Sequence, residues 1–213
     1  AMAKVKICGL STLEAVEASI DAGASFIGLN FYARSPRYVS LDVAKELADR
    51  ARGRVKIVAL IVDADDAAIQ SINNKVGPDY FQAHGAETPQ RIVEIQRLTG
   101  KPVIKVIKVA DASDVLQAAN YEGKAALILY EPKAPETLVN ALPGGNGIAF
   151  DWSLVGNSRD FMLAGGLNPG NVAKAIEITG APIVDVSSGV ETAPGKKDLG
   201  LIRKFIEQAL AAS

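Results

Sequence analysis

Reactive and metal-binding side chains are scarce in this 213-residue chain, which has one cysteine, Cys8, and one histidine, His84. One cysteine excludes an intrachain disulfide, and one cysteine with one histidine cannot assemble a structural zinc site, so no metal is expected. Charge of either sign is also missing in excess: 23 Lys and Arg stand against 24 Asp and Glu. That leaves no basic field for nucleic acid and no polybasic run for a membrane surface, and any anion must be caught locally. Long apolar runs are absent too; the longest, residues 57–62 and 125–129, are strand-length and far below the roughly 20 residues that span a bilayer. The apolar pattern begins almost at once, at Val5, with Ala1 ahead of Met2 read as an added residue, so no signal peptide is expected and the chain reads as cytoplasmic.

What is present is a soluble globular composition, 48% hydrophobic and 22% charged, enough apolar material for a sizeable core. Short β-rich apolar runs alternate with helical periodicity from end to end, the pattern of a parallel sheet built from βα units. Strands are expected at 5–8, 26–31, 56–62, 80–83, 103–107, 126–130, 161–164 and 183–186, and helices at 12–22, 40–51, 65–75, 89–99, 112–120, 168–179 and 199–211. Asn168 reads as a helix N-cap with Pro169 in the first helical position. The connection after the sixth strand carries Pro132, Pro135, Pro143 and Gly144-Gly145-Asn146-Gly147, so it should be irregular up to a short helix near 151–155. Eight strands with seven clear helices favour one α/β domain over 1–213, a closed (β/α)8 TIM barrel.

In such a barrel the chemistry gathers where the strands end. Gly165-Gly166 and Ser187-Ser188-Gly189 follow the last two strands, where backbone N–H groups and a helix start commonly cradle phosphate, so a small phosphorylated molecule is the expected partner. Cys8 ends the first strand beside Gly9, where a thiolate could take a proton from carbon. Arg37 lies in Tyr32-Ala33-Arg34-Ser35-Pro36-Arg37-Tyr38, whose guanidinium and aromatic groups suit a planar carboxylate on a ring, or else form a solvated loop. Glu131 closes the sixth strand and would complement a thiolate base as its acid, unless it is an ordinary surface glutamate. His84, after the fourth strand, is by residue type alone the leading base. Trp152 reads as packing or loop anchoring.

Taken together the motifs resemble phosphoribosylanthranilate isomerase along essentially the whole chain. The resemblance is carried by Lys6-Ile7-Cys8-Gly9-Leu10, Ser35-Pro36-Arg37-Tyr38, Gln82-Ala83-His84-Gly85, Pro143-Gly144-Gly145-Asn146-Gly147 with Phe150-Asp151-Trp152, Leu163-Ala164-Gly165-Gly166-Leu167, and Asp185-Val186-Ser187-Ser188-Gly189-Val190-Glu191 followed by Pro194-Gly195 and Lys197-Asp198. It implies an Amadori rearrangement of N-(5'-phosphoribosyl)anthranilate in tryptophan biosynthesis, without a cofactor, by a monomer or homodimer. It further implies Cys8 as general base, Glu131 as general acid in place of the family's aspartate, Arg37 on the anthranilate carboxylate, His84 and Asp185 in substrate binding, and Gly165, Gly166, Ser188 and Gly189 on the phosphate. Ala83 and Asn30 also depart from the family's usual residues. Other phosphosugar barrels fit less well, because they need paired aspartates with two-fold repeats or metal-binding histidines, and a non-catalytic phosphate binder would need neither Cys8 nor Arg37.

Overall fold

A computed structural model describes residues 2–135, 144, 149–156, 158 and 160–212. The strands are β1 (Lys4–Cys8), β2 (Phe26–Asn30), β3 (Lys56–Ile61), β4 (Tyr80–Ala83), β5 (Val103–Val109), β6 (Leu127–Pro132), β7 (Phe161–Leu163) and β8 (Ile183–Val186). They pair in chain order, all parallel, and β8 returns to β1 with Val5 opposite Val184, closing the barrel. Around it lie α1 (Leu13–Ala22), α2 (Leu41–Ala51), α3 (Asp66–Lys75), α4 (Pro89–Thr99), α5 (Ala112–Leu116), α6 (Val172–Thr179) and α7 (Leu199–Ala211). Thr12, Ser40, Asp65, Thr88 and Asp198 each accept a hydrogen bond from the backbone N–H three residues on, which is why these five helices start where the sequence says they should.

Three local expectations change. The helix expected over 112–120 is α only to Leu116 and tightens into a 3-10 turn at Gln117–Tyr121; neither piece fully buries a residue, and the turn brings the Tyr121 hydroxyl to the Glu87 carbonyl, to which it donates at 2.6 Å. The helix expected from Asn168 begins at Val172. Asn168 caps a preceding turn instead, its side chain accepting from the Gly170 N–H at 2.8 Å and its carbonyl from Val172 at 3.1 Å, because Gly170 favours a turn over a helix interior. The short helix near 151–155 is a 3-10 turn, Trp152–Val155, with Trp152 packed against the core. Pro143, Gly145, Asn146 and Gly147 lie outside the described residues.

Strand alternation sorts the barrel interior by height. At the bottom and middle, Phe26, Val58, Ile104, Val106, Leu129, Met162 and Ile183 form a closed apolar plug. The next inward positions are polar: Lys6 and Cys8 on β1, Asn30 on β2, Gln82 on β4 with His84 just beyond it, Glu131 on β6 and Asp185 on β8. Outward residues such as Val5, Ile7, Ile27 and Phe81 join the larger layer under the helices. After β8 a 3-10 turn (Ser188–Val190) leads into a hairpin, β9 (Glu191–Ala193) with β10 (Lys196–Lys197), before α7.

Candidate active site

A cleft of about 730 Å³ opens at the C-terminal end of the barrel, lined by every residue singled out from the sequence as a site candidate. Burial decides the two cases that residue type left open: Arg37 is 5% exposed and Glu131 is 4% exposed, so neither is a surface side chain.

Cys8 reaches the cleft from the end of β1. Opposite it in register is Gly28, where a Cβ would stand 2.6 Å from Sγ; the thiol occupies the space a side chain on β2 would take. Burial pushes the Cys8 thiol above its ordinary value and the Asp185 carboxylate adds to this, while the Lys6 and Lys197 ammonium groups pull it back. Lys6, two residues earlier on the same face of β1, is wholly buried and donates to Gln82 Oε1 at 2.7 Å and to Asp185 Oδ1 at 3.1 Å. Burial alone would lower the Lys6 ammonium; the negative charges of Asp185 and Cys8 outweigh it and hold it above the usual lysine value.

On the far side of the cleft, Glu131 Oε1 lies 2.8 Å from His84 Nε2, and His84 Nδ1 lies 3.0 Å from Gln82 Nε2. The loop that carries His84 is tied down from outside the barrel. Buried Glu87 accepts from the Asp63 and Gly85 N–H groups, each at 2.8 Å, and from Lys105 at 3.2 Å. Gly144 packs against both His84 and Glu131, where a side chain would collide with the imidazole.

Arg37 is gripped from one edge. Its Nε and Nη2 donate to the two oxygens of Glu191 at 2.9 and 2.7 Å, the paired geometry that suits guanidinium to carboxylate. Lys197 donates to Glu191 Oε2 at 2.7 Å and to the Ser187 carbonyl at 3.1 Å, so the hairpin after β8 supplies both partners. Burial opposes the Glu191 charge, but Arg37 and Lys197 together hold its carboxyl below the ordinary carboxylate value. Asn30, expected either to reach the mouth or to bond locally, does both: it lines the cleft, accepts from the Tyr32 N–H at 2.8 Å and donates to Ser35.

The loops after β7 and β8 meet above the cleft. Gly165 has φ of 90° and abuts the Pro132 ring, while a Cβ on Gly189 would fall on the Leu167 carbonyl, so both positions need glycine. Among the described residues, the N–H groups of Gly165, Gly166, Ser188 and Gly189 donate to no other protein atom. This row of free donors next to a 3-10 turn has the geometry in which backbone N–H groups can hold an anion.

Comparison with known proteins gives this geometry a context. Residues 5–208 match the family model described as N-(5'-phosphoribosyl)anthranilate (PRA) isomerase. A relative of that name from Parvibaculum lavamentivorans is 50% identical over 212 residues, covering 98% of this chain and 99% of the relative. The chain belongs to the N-(5'-phosphoribosyl)anthranilate isomerase family. Its activity is that aldose–ketose isomerisation, a step of tryptophan biosynthesis. Among solved structures, the family member from Thermotoga maritima superposes with a TM-score of 0.87 at 36% identity, covering 98% of each chain. Another solved structure of a phosphoribosyl anthranilate isomerase, in complex with reduced 1-(o-carboxyphenylamino)-1-deoxyribulose 5-phosphate, superposes with a TM-score of 0.84 at 34% identity, again covering 98% of each chain.

Within this family's barrel, the site also draws on side chains to which sequence reading assigned no role: Lys6, Gln82, Glu87, Glu191 and Lys197. The first two carried a usable signal. Lys6 and Gln82 stand two residues before Cys8 and His84, on the same face of their strands, and a buried polar residue in such a place needs partners. Glu191 and Lys197 carried none, because the hairpin that brings them to Arg37 depends on long-range packing.

Proposed function

We propose that Glu131 and Cys8 divide the proton transfers of this isomerisation. Glu131 protonates the furanose ring oxygen, the bond from that oxygen to C1 breaks, and the nitrogen lone pair forms an iminium. The Cys8 thiolate then takes the proton from C2, and the electrons of that bond neutralise the iminium to give an enolamine. C1 of the enolamine then takes a proton from the Cys8 thiol and the Glu131 carboxylate collects the proton of the C2 hydroxyl, which gives the ketose and restores both groups. Arg37, presented by Glu191, holds the anthranilate carboxylate with its free edge; Gly165, Gly166, Ser188 and Gly189 hold the phosphate; Asp185 and His84 flank the reacting carbons.

What carries this reading is that one buried cleft joins a thiol, a carboxyl group and a clamped guanidinium to a set of free backbone donors. The test is steady-state turnover of freshly generated N-(5'-phosphoribosyl)anthranilate, followed by loss of its fluorescence. Cys8→Ala and Glu131→Gln should each lower kcat by about 10²–10⁴, the usual worth of a positioned acid or base. Glu131→Asp draws the carboxyl group back by about 1 Å and should cost up to roughly a hundredfold. Full turnover by Cys8→Ala would remove Cys8 as the base.

No helix among the described residues is long and apolar enough to cross a membrane. We read the chain as one barrel domain over 1–213 acting in the cytoplasm as a monomer or homodimer on a small phosphorylated substrate. Sedimentation of the purified chain distinguishes the two states.

A further inference from the structure

Lys6, Gln82, His84 and Glu131 form an unbroken line of hydrogen bonds across the upper barrel, with spacings of 2.7, 3.0 and 2.8 Å. All four are buried, with Lys6 and Gln82 fully so. This line has a direction, and the direction fixes a proton. The Lys6 ammonium can only donate, so the Gln82 group facing it must be the amide oxygen. The Gln82 NH2 is thereby turned to His84 Nδ1. An NH2 group can only donate to a ring nitrogen, so Nδ1 must be the unprotonated one. The single proton of the neutral ring then sits on Nε2, aimed at Glu131.

We propose that Lys6 and Gln82 lock His84 in the neutral Nε2–H tautomer, and that His84 so locked is the positioning residue for Glu131. Both ring nitrogens are committed, so His84 cannot be the base that removes the C2 proton. By donating to Oε1 it pins one carboxyl oxygen and leaves Oε2 to carry the proton delivered to the ring oxygen. The kinetic consequence rests on the reading of Glu131 as the acid; the tautomer does not.

His84 is the only histidine, so a long-range proton–nitrogen correlation spectrum of the intact, substrate-free protein contains one imidazole. Nε2 should resonate as a protonated nitrogen and Nδ1 as an unprotonated one. In Gln82→Glu a carboxylate accepts from both Lys6 and the ring, so Nδ1 should become protonated and kcat should fall at least about tenfold with KM changed less than about threefold. His84→Gln, whose amide can still donate to Glu131, should retain several-fold more kcat than His84→Leu. A protonated Nδ1 in the unaltered protein overturns the proposal, and this reading needs no variant to fold. Equal, undiminished kcat in His84→Gln and His84→Leu also overturns it. If Glu131→Gln were fully active while the tautomer stood as expected, the acid assignment would fail and the kinetic half of the proposal with it, a result separable from a wrong tautomer.

Discussion

At the residue scale, burial makes the Cys8 thiolate, the base proposed above, stronger but scarcer. Its thiol is held above the ordinary value of 9.0, first by desolvation and then by the Asp185 charge, with Lys6 and Lys197 only partly compensating. The thiolate fraction of the free enzyme therefore grows about tenfold per pH unit across the neutral range, and because Cys8 is the only cysteine its alkylation reports that fraction directly. We expect the logarithm of the iodoacetamide alkylation rate of the substrate-free protein to climb with a slope near one and still to be climbing at pH 9; a plateau beginning below about pH 8 would contradict the raised thiol. Glu191 shows the opposite sign. Its carboxyl sits below the ordinary 4.5, so its contribution to stability is fully present above that pH and is lost as pH falls through the lower folded value. Glu191→Gln leaves Arg37 and Lys197 buried beside a neutral amide, which should cost about 3 kcal/mol in denaturant unfolding. Because Arg37 also loses its aim, KM should rise far more than kcat falls.

At the scale of elements, the geometry of β1 against β2 decides where the thiol stands. Gly28 faces Cys8 with no room for another carbon: a Cβ there would meet not only Sγ but also the Cys8 Cα at 3.2 Å, which cannot swing aside. Gly28→Ala should displace β1 at its catalytic end, lowering kcat by about a hundredfold for a shift near 1 Å, with the fold retained by circular dichroism. The strands and most helices were legible because each obeys a local rule: a short apolar run buried on both faces for the strands, and a Ser, Thr or Asp cap ahead of six of the seven helices, Asp111 serving α5. Boundaries failed where no local rule applied. Residues 117–121 are shaped by a long-range contact, the Tyr121 hydroxyl on the Glu87 carbonyl, and Gly170 turns the chain before α6 can start. The site residues at strand ends could be found by position alone, since Cys8, His84, Glu131 and Gly165 each follow an apolar run. Glu87 could not, because it works from outside the barrel by knitting the Asp63 and Gly85 loops together.

For the whole molecule, closure is what turns separate βα units into one site. Cys8 and Glu131 are 123 positions apart in sequence, yet they line the same cleft because β8 returns to β1. The last helix secures that seam: α7 packs on α1, α6 and β1, with Ile202, Phe205, Ile206 and Ala209 fully buried. At about 1.5–3 kcal/mol for each large apolar side chain, its loss approaches the entire net stability of an ordinary domain. Removing residues 199–213 should therefore abolish cooperative unfolding as well as turnover, and a truncated chain that still melts cooperatively would show the barrel closing without α7. The sequence by itself determined the alternation of strands and helices, the eight-fold count, the glycine turns after β7 and β8 and the identity of the reactive groups, because these follow from side-chain periodicity and local backbone chemistry. Only the tertiary structure decided which polar side chains meet: the line from Lys6 to Glu131 and the clamp of Glu191 and Lys197 on Arg37 join residues far apart in the chain, and hydrogen bonds of that kind exist only once the barrel has closed around them.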